Sequence, residues 1–380
     1  MYGRSRRITN LVRVGIPALL LAGVAVGAPK KTQGPTLTPQ ASGTTERLQA
    51  VSPVNSQVVW ASGTGGTYVL TTDGGEHWTS AVVPGAEALE FRDVEGVSAE
   101  VAYLLASGPG TDSRIYKTED GGANWTLQTQ NEDPNGFWDC FAFWTPTKGL
   151  TMADASGGRF PVIRTLDGET WQDIGDNLPA PLPPAEFAFA ASGTCVATVG
   201  KKWAWIGTGS LTTESRILAT TDQGETWNAY ATPIASNPAT GAAGVFSVAF
   251  RNPAQGVIGG GDFLGSTVVD NFAHSSDGGK TWELRTNAPI PGAIFGLSYV
   301  GKPSSDDDEQ GDDDDQGGNS GSGRPKTVVA TGPGGVAWTP DEGDTWNLIP
   351  DVLNFWAVAF ARPDAGWLVG TDGRITKISF

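Results

Sequence analysis

Short apolar runs separated by turn-forming residues recur along most of the chain. Val245–Phe250 is one such run, and a turn sequence at Asn252 and Pro253 follows it. Short segments rich in Val, Ala, Phe and Trp and bounded by turns are typical of β-strands. No long segment has the period of an amphipathic helix. The pattern therefore predicts an all-β fold built from many short strands.

One pattern, Ser/Thr-x-Asp-x-Gly-x-Thr-Trp with some drift at the seventh position, recurs six times between these runs. The copies are Ser275–Trp282, Thr71–Trp78, Thr118–Trp125, Thr220–Trp227, Thr339–Trp346 and the one-residue-shorter Thr165–Trp171. The Asp can accept hydrogen bonds from nearby backbone N–H groups, the Gly can adopt a positive φ, and the Trp can bury its ring against a neighbouring unit. We predict structural turns around Asp73, Asp120, Asp167, Asp222, Asp277 and Asp341.

The spacing of these turns predicts the architecture. Their final tryptophans are 47, 46, 56, 55 and 64 residues apart, and a repeat of this size is typical of one four-stranded propeller blade. A C-terminal unit has three strand-like runs and lacks the turn. We predict a single domain, a seven-bladed β-propeller over residues 47–380, with blades at 47–86, 87–132, 136–178, 185–234, 244–288, 291–350 and 354–380.

The N-terminal residues 1–28 are predicted to be a signal peptide. Arginines precede an apolar run, Val14–Ala28, that is short for a membrane-spanning helix and ends in small residues. The alternative is an uncleaved membrane anchor. Residues 29–46 are predicted to be a linker, part of which, Pro35–Gly43, could add the fourth strand of blade 7 and so close the ring.

An acidic, Gly- and Ser-rich insertion occupies residues 304–325 within blade 6. It cannot bury apolar surface, so we predict a disordered loop. A calcium site is the alternative, although the carboxylates lack an ordered ligand spacing.

Composition narrows the classes of partner and chemistry. A formal net charge of −16 argues against nucleic acid and anionic lipid. The two histidines, His77 and His274, lie in or beside turns, which argues against a Ser-His-Asp triad. No His/Cys metal motif and no phosphate-binding glycine fingerprint occur, so we predict no metal and no cofactor.

The two cysteines are placed on neighbouring inner strands. Cys140 lies in Phe137–Trp144 of blade 3, and Cys195 lies in Phe187–Ala197, which we interpret as the inner strand of blade 4. Export implies an oxidising compartment. We predict a disulfide between them, the alternative being two buried free thiols.

The repeated pattern, together with the stretch Val58–Trp78, resembles the Asp-box or bacterial neuraminidase repeat. The resemblance covers residues 46–380 and is greatest to the photosystem II assembly/stability factor family, with sialidases and sortilin-type ectodomains more distant. In these families the box lies on the outer rim, away from the channel mouth. The sialidase catalytic residues do not match: Phe91-Arg92 is followed by Asp93, for example, so none is carried over.

Ligands of propellers usually bind the face formed by the loops between second and third strands and by the links between blades. The candidates there are Asp139, Asp154, Arg159, Glu186, Arg216 and Asp262, with the aromatic residues Trp138, Phe160 and Phe263 beside them. We predict a binding face where blades 3, 4 and 5 meet. Paired carboxylates beside aromatic rings suit sugar hydrolysis. The alternative is that these residues cap turns or form ion pairs between blades.

Two functions follow. The resemblance implies an exported, periplasmic or extracellular, non-catalytic scaffold that binds or assembles partners. The second is a glycoside hydrolase on the same scaffold with different catalytic residues. In either case we expect a protein or carbohydrate ligand at the channel face, a monomer, and no membrane span once the signal peptide is removed.

Overall fold

The computed structural model describes residues 1–3, 34–303 and 326–380. The predicted signal peptide, 1–28, lies outside the described residues except for residues 1–3, and the predicted acidic loop, 304–325, lies wholly outside them. No helix in the described ranges is long and apolar enough to cross a membrane.

The described residues form seven four-stranded antiparallel sheets, which confirms the predicted all-β, seven-bladed propeller. Up to the end of blade 3 the strands are β1 (Thr36–Ala41), which belongs to blade 7; β2 (Leu48–Pro53), β3 (Val59–Gly63), β4 (Thr67–Thr71) and β5 (Thr79–Val82) in blade 1; β6 (Phe91–Gly96), β7 (Ala102–Ala106), β8 (Arg114–Thr118) and β9 (Thr126–Gln130) in blade 2; and β10 (Trp138–Thr145), β11 (Lys148–Ala153), β12 (Ile163–Thr165) and β13 (Trp171–Asp173) in blade 3.

The remaining strands complete blades 4 to 7. They are β14 (Glu186–Phe187) and β17 (Gly209–Ser210), which pair with each other; β15 (Val196–Val199), β16 (Trp203–Gly207), β18 (Ser215–Thr220) and β19 (Asn228–Thr232) in blade 4; β20 (Ala243–Phe250), β21 (Gly256–Asp262), β22 (Phe272–Ser275) and β23 (Glu283–Leu284) in blade 5; β24 (Gly296–Tyr299), β25 (Val328–Gly332), β26 (Gly335–Thr339) and β27 (Asn347–Ile349) in blade 6; and β28 (Phe355–Arg362), β29 (Ala365–Gly370) and β30 (Arg374–Ser379) in blade 7. Short 3-10 helices lie at Gly110–Asp112, Gly175–Asn177 and Thr371–Gly373.

The first strand of each blade faces the central channel. These inner strands contact one another in a closed ring, in the order β2, β6, β10, β15, β20, β24 and β28, with β28 against β2. The ring is closed by the N-terminal strand, since β1 pairs with β30 from Thr36 opposite Ser379 to Ala41 opposite Arg374. Gln40 of β1 also accepts hydrogen bonds from Trp367 of blade 7 and Trp78 of blade 1. Closure of this kind removes the sheet edges that an open ring would expose.

The hydrophobic core lies between adjacent blades. Trp60 of blade 1 is fully buried in a cluster that includes Phe91 and Leu104 of blade 2, and its indole N–H donates to the Ser98 carbonyl at 2.8 Å. Trp205 of blade 4 stacks on Phe250 of blade 5 with ring centroids 3.7 Å apart. Because each blade buries its faces against its neighbours, truncating such a ring is expected to cost about 3–5 kcal/mol of unfolding free energy.

The turns around the repeated aspartates bond mainly to themselves. In blade 5 the Gly279 N–H donates to Ser275 Oγ at 2.9 Å, and the N–H and hydroxyl of Thr281 donate to the two carboxylate oxygens of Asp277 at 2.9 and 2.6 Å. Equivalent backbone bonds reach Asp73, Asp120, Asp167, Asp222 and Asp341. Gly279 adopts a φ of +82°, which disfavours a side chain there. Each turn joins the third and fourth strands of its blade.

Blade 4 differs from the expected strand pattern. Phe187–Ala197 is not one inner strand: β14 ends at Phe187, and the inner strand β15 begins only at Val196. The residues between them leave the blade because their polar groups bond elsewhere. The Ser192 hydroxyl, for example, donates to the Phe295 carbonyl of blade 6. We call residues 188–195 the crossing segment.

Candidate binding cleft at the channel mouth

Several inner strands of the described chain carry a β-bulge close to their first residue. In blade 5, Val245 pairs with Gly260 and Ser247 with Gly259, which leaves Phe246 unpaired. The equivalent unpaired residues in blades 1, 2, 3 and 7 are Gln49, Arg92, Asp139 and Trp356. A bulge changes the direction of a side chain and is frequent beside functional sites.

The bulged residues of four blades line one cleft of about 310 Å³, which we call the mouth cleft. Its lining residues include Arg92, Asp139, Phe246 and Trp356 from the bulges, together with Phe137, Asp154, Ala188–Ala191, Phe263 and Phe295. Inner strands begin and second strands end at this side of the propeller. The cleft is therefore at the opposite end from the aspartate turns, which follow third strands.

The crossing segment forms the floor of the mouth cleft. It is held from two sides, because Ser192 donates to the Phe295 carbonyl at 2.5 Å and the Arg92 guanidinium donates to the Ala190 carbonyl at 3.3 Å. These bonds reach blades 6 and 2 across the channel. The cleft is consequently a closed-bottomed depression at the mouth.

A disulfide between Cys140 and Cys195 ties the end of the crossing segment to the inner strand of blade 3. Both cysteines are fully buried. Cys140 directly follows the bulged Asp139, so the covalent link restrains a wall and the floor of the cleft together.

Aromatic rings form a continuous row across the cleft. Phe189 stacks on Phe246 with centroids 3.7 Å apart and an interplanar angle of 13°. Phe246 lies 5.6 Å from Phe295, and Phe295 lies 5.0 Å from Trp356. Phe263 packs edge-on against Phe246 at 6.0 Å and is 47% exposed. Phe189, Phe246 and Phe295 are buried and form the apolar lining of the cleft, whereas the exposed Phe263 ring is open to a ligand.

The polar wall of the cleft is a pair of acidic side chains, Asp139 and Asp154. Asp139 is 2% exposed, and its Oδ2 atom accepts no hydrogen bond from any donor in the described residues. Burial raises the pKa of Asp139 well above its usual range, and the neighbouring Asp154 carboxyl raises it further. Burial also raises the pKa of Asp154, while the Ala188 N–H bonded to its Oδ1 lowers it. Both neighbouring carboxyls are therefore stabilised in their protonated forms.

The cationic groups nearby are already paired. The Arg92 guanidinium lies 2.8 Å from Glu90 and above the Phe137 ring. Arg47 lies 3.5 Å from the same Glu90 oxygen and 4.6 Å above the Trp356 ring. The Glu90 carboxylate therefore partly balances both arginines, and no cation of the described residues forms an ion pair with Asp139 or Asp154, although the charge of Arg92 acts on Asp139.

The structure brings only two of the six predicted face residues, Asp139 and Asp154, into the mouth cleft, together with the neighbouring Phe263. Glu186 and Arg216 bond to each other, with Arg216 Nε 3.0 Å from Glu186 Oε1, and Glu186 is 1% exposed. Both residues belong to blade 4, so they form an ion pair within one blade and not between blades.

The other two predicted residues lie in separate depressions. Arg159 pairs with Asp173 at 2.6 Å in a shallow pocket that Trp138 also lines. Asp262 accepts a hydrogen bond from Asn237 at 2.9 Å in a third pocket. Phe160, expected beside the site, is fully buried. Their part in binding stays a prediction.

Sequence reasoning missed the aromatic row and Arg92. A signal was present in the inner strands, where Phe246, Phe295 and Trp356 each stand second in a six-residue run ending in Phe or Tyr. Phe189 had no such signal, because the crossing segment follows no repeat.

A second cavity of about 250 Å³ lies on the other side of the crossing segment. Asp93 and Glu95 of β6 line it. Burial raises the pKa of Glu95 to about 7, although the charge of Lys302 opposes the shift. The crossing segment separates these acids from the mouth cleft.

One group of ligand-type side chains in the described residues could hold a metal ion: Asp73, Glu76 and His77, whose ligand atoms lie within 4.8 Å of one another. It is in an exposed turn, and His77 Nδ1 already lies 2.7 Å from Asp73 Oδ2. The Asp73 and His77 side chains therefore bond to each other, as expected of a structural turn.

No protein-family model matches this chain. The chain is 24% identical over 283 residues to the photosystem II assembly protein Ycf48 of Synechococcus sp. (strain JA-2-3B'a(2-13)), a match that covers 64% of this chain and 76% of that protein. The predicted similarity to photosystem II assembly proteins is confirmed at this level.

Two solved structures share the fold. YCF48 from Cyanidioschyzon merolae has a TM-score of 0.59 and 15% identity, with 90% of this chain and 98% of that chain covered. YCF48 bound to a D1 peptide has a TM-score of 0.55 and 16% identity, with 92% and 98% covered. At these identities the likeness establishes the propeller fold alone.

Proposed function

We propose that this chain is an exported, non-catalytic scaffold that binds a segment of a protein partner in the mouth cleft. The observation that carries the proposal is the contrast between a concave aromatic cleft at one end and hydrogen-bonded turns at the other. The similarity to Ycf48, and a YCF48 structure with a bound D1 peptide, support a polypeptide as the ligand class.

The arrangement of carboxyls argues against the glycoside hydrolase. A hydrolase needs two separated carboxyl groups, about 5–9.5 Å apart, with the sugar between them. The Asp139 and Asp154 carboxyls interact directly with each other, so no sugar can lie between them. Glu186, the next candidate acid, is buried against Arg216. The aromatic row accordingly supports binding over hydrolysis.

Three further parts of the proposal concern export and the turns. Residues 1–28 act as the signal peptide, and the disulfide between Cys140 and Cys195 supports an oxidising compartment. The six turns are Asp-boxes with a structural role, as their internal hydrogen bonds suggest. The acidic loop 304–325 is dispensable for folding, and the protein acts as a monomer.

Isothermal titration calorimetry with a synthetic D1 peptide tests the binding proposal. We expect Trp356→Ala to weaken binding about tenfold or more, because an aromatic wall of the cleft is lost. Asp222→Ala, in a turn at the other end, should leave the affinity unchanged.

A third variant separates the mouth cleft from the neighbouring pocket. If Arg159→Ala abolishes binding while Trp356→Ala does not, the ligand occupies the shallow pocket around Arg159. If only Asp222→Ala abolishes it in a folded protein, the placement at the mouth is wrong. Hydrolysis of a sugar substrate that is lost in Asp154→Asn would favour the enzyme.

A further inference from the structure

The mouth cleft combines two features that the proposed function alone does not require. One is an acid pair without a cationic partner, and the other is a row of aromatic rings beside it. Aromatic faces attract cations, and a buried carboxylate without a counter-ion attracts them more strongly. Together they form a site that favours a positively charged group.

We propose that the mouth cleft recognises a basic side chain, lysine or arginine, of the bound polypeptide, with the cation against Asp139 and Asp154 and its aliphatic stem along the aromatic row. This inference rests on the proposed function and specifies the chemistry of its ligand. The ammonium or guanidinium group takes the place of the protons that these buried carboxyls hold at low pH. Each partner then gains what it lacks, since the buried acids gain a counter-charge and the cation gains acceptors.

The geometry of the acid pair supports this assignment. Asp139 Oδ2 is buried and accepts no hydrogen bond from a donor in the described chain, so it offers a free acceptor at the wall of the cleft. Asp154 Oδ1 is already used by the Ala188 N–H at 3.2 Å, which fixes the orientation of that carboxyl. The unpaired Asp139 Oδ2 and the fixed Asp154 carboxyl thus line the cleft together with the aromatic rings, and both can accept from a donor cation.

The charges around the pair are compatible with a bound cation. The charged side chains on the mouth side are Arg92, which lines the cleft and whose charge opposes the raised pKa of Asp139, together with Glu90 and Arg47. Asp93 of β6 lies on the other side of the crossing segment. Arg92 and Arg47 both contact Glu90, which weakens their field at the acid pair. Asp93 accepts the N–H groups of Val94 and Phe141 and does not bond to the pair.

The ring positions fit a stem followed by an apolar neighbour. Phe189, Phe246 and Phe295 lie nearly parallel in a row, with interplanar angles of 13° and 1° between successive rings. Phe263, at the edge, is 47% exposed and is available to a further apolar residue. A segment in which the basic residue is flanked by aromatic or aliphatic residues matches this layout.

Capped peptides that differ in one side chain test the inference. The probes are acetyl-Gly-Phe-Lys-Phe-Gly-amide, the same peptide with arginine, and the same peptide with norleucine, which keeps the stem and removes the charge. Affinities for the full-length protein are measured by calorimetry. We expect the lysine and arginine peptides to bind about tenfold more tightly than the norleucine peptide.

The matched variants isolate the acid pair. Asp139→Asn combined with Asp154→Asn keeps hydrogen-bonding groups of the same size, and it should reduce the preference for lysine over norleucine to about one-fold. Asp112→Asn removes one aspartate charge at an exposed position outside the cleft. It should leave the preference for lysine over norleucine unchanged. Thermal melting of each variant verifies that it is folded.

The pH dependence gives a second readout. Because the pair holds a proton at low pH, the lysine preference should grow between pH about 5 and about 8, where lysine stays charged. The double asparagine variant should show no such change. If the preference for the lysine peptide over the norleucine peptide does not depend on pH in the unmodified protein, the cation does not replace carboxyl protons.

The remaining outcomes overturn the inference in distinguishable ways. Equal affinity for the lysine and norleucine peptides excludes recognition of a cation. Tighter binding of an uncapped peptide through its carboxylate, lost in Arg92→Gln, makes the mouth an anion site. In both cases peptide binding at the mouth, and hence the proposed function, survives. If neither these peptides nor the D1 peptide binds, both proposals fall.

Discussion

The two ends of the propeller use aspartate in opposite ways. At the turn end, hydrogen bonds from the backbone N–H groups of Thr170 and Glu169 hold the pKa of Asp167 well below its usual range. The pKa of Asp73 is likewise lowered, mainly by the hydrogen bond from the His77 backbone N–H. At the mouth, burial raises the pKa values of Asp139 and Asp154. The same side chain is stabilised in its charged form where local hydrogen bonds dominate, and in its neutral form where burial outweighs the bonds that it accepts. This difference is consistent with a structural role for the aspartate turns and a binding role for the mouth cleft.

The largest expected effect concerns the covalent restraint at the mouth. Replacing both Cys140 and Cys195 by alanine should lower the unfolding free energy by about 4 kcal/mol, because the disulfide closes a loop with a sequence separation of 55 residues. Chemical denaturation of the variant measures this. Reduction of the unmodified protein should produce a similar loss, and two free thiols titrated in the unreduced, denatured protein would show that the link does not form.

The turn end should be sensitive to single aspartates. Asp277→Ala removes the acceptor of bonds from Lys280, Thr281 and the Thr281 hydroxyl, and we expect a loss of about 2 kcal/mol in unfolding free energy. Peptide affinity at the mouth should not change. Asp112→Ala, an exposed residue outside the turns, serves as the control. A stability loss equal in the two variants would show that the turn bonds contribute nothing particular.

The sign of a pH effect should distinguish the mouth from the turns. Burial raises the pKa of Asp154 from 3.8 to about 7, so the folded state binds more protons than the unfolded state between these values. Stability from this group is therefore present at low pH and is lost as pH rises through the folded pKa. Asp154→Asn should be about 1 kcal/mol more stable than the unmodified protein at pH about 8 and equal to it at about 4.

The control for this effect is a turn aspartate, which should behave in the reverse manner. Hydrogen bonds lower the pKa of Asp167, so its contribution is present above its unfolded pKa and lost as pH falls. Asp167→Asn should therefore be less stable than the unmodified protein at neutral pH, with the difference shrinking under acid conditions. If both asparagine variants lose stability at pH about 8, the two ends do not differ in this respect.

These differences also explain how much could be predicted from the sequence. The turns were predictable because their bonds are local, such as Thr281 to Asp277, and because the spacing of the tryptophans matches a blade. The mouth depends on contacts between distant residues, such as Phe189 on Phe246 and Ser192 with Phe295. Bulges at the inner strands determine which side chains enter the cleft, and a single sequence does not reveal such register shifts.

The candidate residues illustrate the same limit. Asp139 and Asp154 were selected as residues of the face formed by the loops between second and third strands and by the links between blades, and they do meet in the cleft. Glu186 and Arg216 were selected on the same grounds, yet they bond to each other because β14 pairs with β17 beside blade 4. That pairing accompanies the crossing segment, which directly follows β14 and is not part of the sequence repeat.

The smallest expected effect on stability is at the exposed ring of the cleft. Phe263 is 47% exposed, so Phe263→Ala should change the unfolding free energy by less than about 0.5 kcal/mol. It should nevertheless weaken peptide binding several-fold if the ring contacts the ligand. Leu348, exposed on the outer strand of blade 6, provides a matched control, since Leu348→Ala should affect neither quantity. Equal peptide affinities for both variants would remove Phe263 from the binding surface.

Hydrogen–deuterium exchange of the full-length protein, with and without a D1 peptide, tests the central difference between the two ends most directly. We expect the peptide to slow exchange in the crossing segment, 188–195, and at the starts of the inner strands around Phe246, Phe295 and Trp356. Exchange in the six aspartate turns should be unchanged. Protection confined to the turns, with the crossing segment unaffected, would contradict the assignment of binding to the mouth.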